Sequence, residues 1–443
     1  MNIRNLRTLR AGTRVTSGSV LIIVLWVAFG LVTLALYFAH SMSLELRAAD
    51  NRTASLAAEE AILGAVRYLT NVLGRVAEPG QIPDPANYRA EAVPVGDALF
   101  WLIGRGDADA VSDRPTFGLV DEASKLNLNV ATLEMLEVLP RMTPQLAAAL
   151  IDWRDANEDV TEGGAESDTY LRRNPPYRCK NTNYESVAEI RLVHGATLDL
   201  LFGDDANLNG TLEPNENDGD VSLPADNRDG RLDPGLLEYL TVHSRQSALA
   251  TNVNNPQQLA ALLQTHFSAD RANEILARVG AGVGSVFEFY VVSGITRDEF
   301  TQIEGYLVGT NTVGLINVNT ASEAVLACVP GLGPEYASAL VAHRRTNPGQ
   351  LNSMAWLTDA LGWTTNDLAR VRLAGPWLTG RSFQFSADIA AVGQHGRGYR
   401  RARFIVDTSS GGPVIRYRQD LTSLGWALGS RVRDSLLLAR DLR

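Results

Sequence analysis

The segment Gly18–Phe38, GSVLIIVLWVAFGLVTLALYF, constrains this chain more than any other. From Ser19 to Ala39 there are 21 residues without a charge, preceded by Arg4, Arg7, Arg10 and Arg14. A helix rising about 1.5 Å per residue covers about 31 Å over that length, close to the thickness of a hydrocarbon core. The arginines place the N-terminus on the cytoplasmic side and everything downstream on the exported side. No proline interrupts before Pro79, and beyond the apolar run Ile62, Val66, Leu69 and Leu73 recur at spacings of four, three and four. That is the stripe of an amphipathic helix. One continuous helix is expected to leave the membrane and carry its apolar face into a globular part. A plain single-pass anchor is one alternative. A cleaved secretory signal ending at Ala39-His40-Ser41 is another, but signal apolar regions run only about 7–15 residues.

The chain has 443 residues, so the part beyond the helix is long enough for two or three domains. Its two cysteines, Cys179 and Cys328, exclude a disulfide-built fold, and spacing leaves open whether they pair. The formal net charge of −10 is concentrated: between Gly203 and Asp233 nine acidic residues face only Arg228 and Arg231, a local −7. Acidity that local points to a cation.

Two stretches of the chain repeat each other. Lys125–Arg154 contains LNLNVATLEMLEVLPRMTPQLAAALIDWR, and Leu315–Arg344 reads LINVNTASEAVLACVPGLGPEYASALVAHR. Asn127, Asn129, Pro140, Pro144 and Arg154 match Asn317, Asn319, Pro330, Pro334 and Arg344, each offset by 190. This is a duplicated module, not a solenoid. Each copy reads as helix, tight turn, helix, opened by Thr132 or Ser322. The second has Pro-Gly-Leu-Gly-Pro at its turn, where glycine can take positive φ; in the first, Arg141 and Thr143 replace the glycines. Both copies resemble the helix-hairpin-helix unit. Such units often grip nucleic acid, and His343, Arg344 and Arg345 invite that reading. Phosphate binding needs a broadly basic surface, however, and Glu335 opens the helix a phosphate would approach. Helical packing is the preferred reading.

Between the modules, Asp205–Glu216 (DANLNGTLEPNE) follows the twelve-residue calcium-loop pattern. Asp205, Asn207 and Asn209 stand at the first, third and fifth places, Gly210 at the sixth, and Thr211, Glu213 and Glu216 at the seventh, ninth and twelfth. These residues offer only oxygen, which suits Ca²⁺, and the glycine allows the sharp turn that closes the loop. Asp226, Asn227, Asp229 and Asp233 form a truncated second version, which a solvated acidic turn explains equally well.

Strands are expected at Leu99–Ile103, Thr116–Asp121, Phe287–Ser293, Phe383–Val392, Tyr399–Asp407 and Val414–Thr422, with Ser409–Gly412 as a hairpin turn. Gly235–Arg245 leads into a further strand. Asn181–Val193 and Asn252–Gly280 read as helical. No G-x-S-x-G, H-E-x-x-H, Walker or Rossmann pattern occurs, and the six histidines show no metal-ligand spacing, so no catalytic residue is assigned.

The unbroken apolar helix after Gly18 is laid out like that of a pilin, with Gly18–Ser19 in the place where a prepilin peptidase cuts. The fifth residue after that cut is Ile23, where most pilins and pseudopilins carry a glutamate. With the length and the two helical modules, the sequence resembles the general secretion pathway protein K family, the minor pseudopilins of type II secretion. The resemblance implies an α+β fold: a transmembrane and pilin helix, an antiparallel-sheet pilin core and a large inserted α-helical domain. The expected layout is a leader over 1–18, the helix over 19–75, the first part of the core over 95–125 and the first helical unit over 126–200. The acidic loop follows over 203–235, strand and helical segments over 236–310, the second unit over 315–379, the last core strands over 383–428 and a tail over 429–443. The resemblance also implies a tip role in the pseudopilus, bound calcium, an inner-membrane position with the bulk exported to the periplasm, and as partners the I and J minor pseudopilins and the inner-membrane platform. An anchored helix-hairpin-helix protein of DNA uptake is the alternative, and a calcium-dependent adhesin or enzyme a third.

The first expected outcome concerns processing. A prepilin peptidase is expected to remove residues 1–18 and leave Ser19 as the N-terminus, read by intact mass of membrane-purified protein. A mature chain starting at Asn2, or beyond Ala39, would refute it.

Overall fold

The computed structural model describes residues 17–106, 115–280 and 282–441; residues 1–16 of the expected leader and the last two of the tail lie outside them. Helix α1 runs unbroken over Ser17–Gly74, 58 residues, and passes through Gly18 and Ser19. Its apolar half, Val20 to Phe38, is exposed along its length and long enough to cross a membrane. Its second half buries Ala58, Ala61, Ile62, Ala65, Val66 and Leu69. All four stripe residues read from the sequence, including Leu73, are buried, and each contributes about 1.5–3 kcal/mol by leaving water.

That stripe packs on an antiparallel sheet of six strands: β1 (Val93–Val95), β2 (Ala98–Ile103), β3 (Val120–Asp121), β4 (Gln384–Val392), β5 (Arg400–Asp407) and β6 (Val414–Asp420). The order is β1-β2-β4-β5-β6, with β3 on β4 beside β2. Ile389 faces Leu102 and Ala402 across the pairings. Alternation sends Phe100, Leu102, Ala387, Ile389 and Phe404 to α1 and Trp101, Ile103, Ala390 and Val392 to the opposite face. Ala427, Leu428 and the C-terminal helix Gly429–Asp441 cover that second face. The β4–β5 turn lies tightly against α1: a Cβ on Gly393 would come within 2.0 Å of the Ala54 carbonyl oxygen, so only glycine fits.

Between β3 and β4 the chain makes a helical insertion with its own continuous core, from Leu126 to Leu378. The first unit pairs helices Leu133–Glu137 and Pro144–Arg154, the second Glu323–Ala327 and Gly333–Thr346. Thr132 and Ser322 cap the first helix of each by accepting from the Met135 and Val325 amides. Both units begin with a two-residue strand paired in parallel, Leu126–Asn127 with Leu240–Thr241 and Ile316–Asn317 with Leu378–Thr379.

A third unit of the same design stands beside the two expected from the repeat. Thr251–Asn252 pairs in parallel with Leu307–Val308, and helices Pro256–His266 and Ala269–Val279 follow. In all three units the first asparagine side chain accepts from the amide two residues on: Asn127 from Asn129, Asn252 from Asn254, Asn317 from Asn319, each at 2.8–2.9 Å. The residue between donates to the partner strand in each, Leu128 to Thr241, Val253 to Val308 and Val318 to Thr379.

Three expectations need correction. Asn181–Val193 is helical only as the 3-10 turn Val187–Leu192. Phe287–Ser293 is not a strand but lies in a helix, Val286–Ser293. Ser285 accepts from the Glu288 amide at its start and Gly294 adopts φ 65° at its end, so caps outweigh the β-branched and aromatic composition. Thr116–Asp121 is a strand only at Val120–Asp121, with Phe117 bridging to Ile103.

A buried ion pair joins β4 to β5. Asp388 accepts from Arg401 Nε and Nη2 at 2.8 Å each, and from Arg403 Nη2 at 2.8 Å. Burial pushes the Asp388 carboxyl up, but the two guanidinium groups outweigh it and hold it well below the usual carboxylate range. Arg401→Ala would leave this carboxylate dependent on Arg403 alone. The expected loss is about 3 kcal/mol or more of unfolding free energy, measured by denaturant on the full-length chain in detergent. A loss under about 1 kcal/mol would show the pair to be dispensable.

Candidate metal centre

The loop Asp205–Glu216 is seated on the sheet face opposite α1. Arg401 donates through Nη1 to the Asn207 carbonyl and through Nη2 to the Leu208 carbonyl at 2.8 Å. Asn207 and Asn209 donate through Nδ2 to the carbonyls of Trp426 and Ala427, at 3.0 and 3.4 Å. Arg105, just after β2, packs its side chain against Gly210 and pairs with Glu238 at 2.6 Å. Sheet, C-terminal segment and insertion therefore meet at this loop.

Its internal bonds follow from its spacing. Asp205 turns its carboxylate inward, Oδ1 accepting from the Asn209 amide and Oδ2 from the Gly210 amide, both at 2.9 Å. Gly210 sits at φ 70°, the sharp turn expected of the sixth place. Asn209 Oδ1 accepts from the Thr211 amide at 2.8 Å. Glu216 folds back on the loop's start, accepting from the Ala206 amide at 3.0 Å and the Glu213 amide at 2.9 Å. Glu213 accepts from Asn207 Nδ2 and Asn209 Nδ2.

Asp205, Asn207, Asn209, Thr211 and Glu216 are all buried, and the Asn207 Oδ1 and Thr211 Oγ1 atoms have no hydrogen-bond partner. Burial pushes Glu216 up to about 8, with Asp205 and Glu213 adding to it. Asp205 and Glu213 are also raised, each chiefly by burial. An inward-facing, oxygen-only set with orphaned acceptors and crowded carboxylates fits a hard divalent cation.

The second acidic loop is arranged differently. Asp226 accepts from the amides of Asp218, Gly219 and Arg228, and Asn227 and Asp229 turn on the amides of Asp229 and Arg231. Asp233 pairs with Arg141 at 2.9 Å. Asp226, Asn227 and Asp229 thus accept from backbone amides, and Asp233 from an arginine.

Arg141 stands in the first unit's turn where the second has Gly331. It adopts φ 61°, the conformation Gly331 takes at φ 86° in the second. Its guanidinium reaches Asp199, Asp204 and Asp233 at 3.4, 3.3 and 2.9 Å, tying the hairpin to the acidic loop's base. In the second unit His343 stacks on Trp356 at 5.3 Å and Arg344 donates to the Val318 carbonyl at 3.0 Å. Both cysteines are buried and free.

A membrane-length helix continuing into the core of an antiparallel sheet, interrupted by a helical insertion, defines a membrane-anchored, pilin-like subunit. Residues 121–201 match the family model described as Type II secretion system (T2SS), protein K, the family the sequence resembles. Residues 311–372 match the helix-hairpin-helix motif. Among solved structures the chain is similar to the GspK-GspI-GspJ complex of the type 2 secretion system of enterotoxigenic Escherichia coli. That likeness has 12% identity and a TM-score of 0.38, covering 86% of this chain and 98% of the other. No curated protein matches.

Proposed function

We propose that this chain is a minor pseudopilin of type II secretion that starts or caps the pseudopilus at its tip. The observation that carries this reading is the protein K match over 121–201 within the insertion of a pilin-like subunit. The apolar half of α1 would sit in the inner membrane after removal of the leader at Gly18–Ser19, with the remainder in the periplasm. Its work would be mechanical. A filament of identical subunits must reuse one surface at every step, and the bulk between β3 and β4 would have to fit each time. Ile23 offers no carboxylate to a neighbouring subunit's amine. Partners would be the I and J minor pseudopilins and the inner-membrane platform, reached by packing of the exposed apolar helix. His343 and Arg344 are engaged within the second unit, which favours packing over nucleic-acid binding there.

Mixed with I and J partners, the protein is expected to form a defined 1:1:1 complex and to remain monomeric alone, read by light scattering. Long homopolymers, or unchanged secretion after deletion of its gene, would count against the tip role.

Within this reading Asp205, Asn207, Asn209, Thr211, Glu213 and Glu216 would hold Ca²⁺, and the Asp226–Asp233 loop would serve as an acidic turn closed on Arg141. A cation bound only by the folded state adds about 2.7 kcal/mol at a hundredfold excess over Kd. The full-length chain should therefore melt higher in Ca²⁺ than in chelator, and Asp205→Asn with Glu216→Gln should remove most of that gain. Equal melting temperatures in both buffers would overturn the assignment.

A further inference from the structure

The first helical unit carries positive charge that the fold leaves unmatched. From Tyr170 to His194 the sequence has Arg172, Arg173, Arg178, Lys180 and Arg191 against Glu185 and Glu189 alone, within a chain of formal net charge −10. Lys180 engages both carboxylates, Glu189 at 2.7 Å and Glu185 at 3.8 Å. That leaves four arginines, and among the described residues none of them forms an ion pair. Arg172, Arg178 and Arg191 are exposed, as are their neighbours in sequence Leu171 and Leu192.

The patch is built on a fixed platform. Tyr170 is buried edge-on to Trp153 at 5.1 Å, and its hydroxyl accepts from the His194 amide at 3.1 Å. Tyr177 lies 5.3 Å from Tyr170 and donates to the Leu192 carbonyl at 2.6 Å. These bonds tie residues 170–178 to residues 192–194. The Arg173 guanidinium lies over both rings, 5.4 and 5.8 Å from their centroids. It donates to the Tyr177 hydroxyl at 2.8 Å and reaches His194 Nδ1 at 3.2 Å. A guanidinium held this way is oriented before any ligand arrives, and it keeps N–H donors to spare. Arg191 is steadied in the same manner, 5.1 Å over the Phe202 ring.

Arginines seated on aromatic rings, beside exposed leucines, have the composition of a protein interface. Nucleic acid is a poorer match. Its phosphates form a continuous track that needs a broadly basic surface. Here the cations are few, and Arg141 ties the same unit to Asp199, Asp204 and Asp233 at the base of the acidic loop. A short peptide with a few carboxylates asks for no more than this patch offers, since arginine pairs with carboxylate through two parallel N–H bonds.

We propose that the patch centred on Arg173 docks a short acidic segment of a partner protein. Its carboxylates meet Arg172, Arg173 and Arg178, and an apolar side chain covers Leu171 or Leu192. The chain's own net negative charge makes such a partner dependent on this local exception, so binding is selective for one place on the surface. The proposal goes beyond the tip reading and does not depend on it.

The test is fluorescence anisotropy of a labelled oligoglutamate peptide titrated with the full-length chain in nonionic detergent. Saturable binding that weakens with added salt is expected. Arg172→Glu with Arg178→Glu, both on exposed side chains, is expected to weaken it about tenfold or more, as the loss of charge-assisted hydrogen bonds implies. Arg173→Ala should do the same, and Arg173→Lys should restore only part, because an ammonium lacks the planar fork. Arg75→Glu, on an exposed arginine at the end of the long helix, should leave binding unchanged. No binding to the parent chain, or unchanged binding in the Arg172→Glu/Arg178→Glu variant, overturns the proposal. So does a DNA duplex that binds as tightly and is lost on the same charge reversals, since the patch would then be a general polyanion surface.

Discussion

The Asp388–Arg401 pair is the contact on which the two halves of this structure depend. A guanidinium buried between β4 and β5 satisfies a carboxylate with two of its donors and still has N–H groups to place. Those groups meet the carbonyls of Asn207 and Leu208, which lie more than 190 residues away in sequence. The chain leaves the sheet after β3 at Asp121 and re-enters at Gln384, so the insertion must close back on its own point of exit. Asp121 marks that closure, accepting from Asn317 Nδ2, Thr320 Oγ1 and Ser382 Oγ at 3.0, 2.5 and 2.6 Å. The exit, the return and the acidic loop are all held by buried polar contacts, where an unmatched partner is costly.

The three units of the insertion show why a short asparagine signature can specify a module. Each two-residue strand is too brief to hold by its ladder alone. The first asparagine turns its own backbone, and the capped helix that follows sets the direction of the chain. In the first and second units Arg154 and Arg344 add a clamp, donating to the carbonyls of Leu128 and Val318. The third has Val279 at the equivalent place and a first helix of 11 residues where the other two have 5, and Val279 packs against the core of the insertion.

These details explain what could be read beforehand. Helix α1, its buried stripe, strands β2, β4, β5 and β6 and two of the units follow from periodicity and offset, because those signals are local, whereas the three-residue β1 is too short to carry one. The third unit was missed because Asn252 and Asn254 keep the signature while the hairpin prolines are gone. Helix Val286–Ser293 was misread because an apolar run of eight suits a buried strand or a buried helix, and only its caps decide. In the acidic loop the spacing anticipated the inward turn of Asp205 and the bend at Gly210, but not Arg401 or the carbonyls of Trp426 and Ala427. Those partners come from strands and termini far along the chain.

Arg141 shows how the first and second units diverged in role. A non-glycine residue at φ 61° costs about 1–2 kcal/mol relative to an ordinary conformation. Gly331 takes the same region of backbone space without that cost and leaves the second unit's turn uncommitted. In the first unit the strain is offset by ion pairs to Asp199, Asp204 and Asp233, of which Asp204 is almost fully buried. At that turn the Arg141 guanidinium is held by three carboxylates. The acidic loop would repel a phosphate. The duplicated motif has thus been turned inward here: its hairpin fixes the base of the loop that the sheet, through Arg401, holds from the other side.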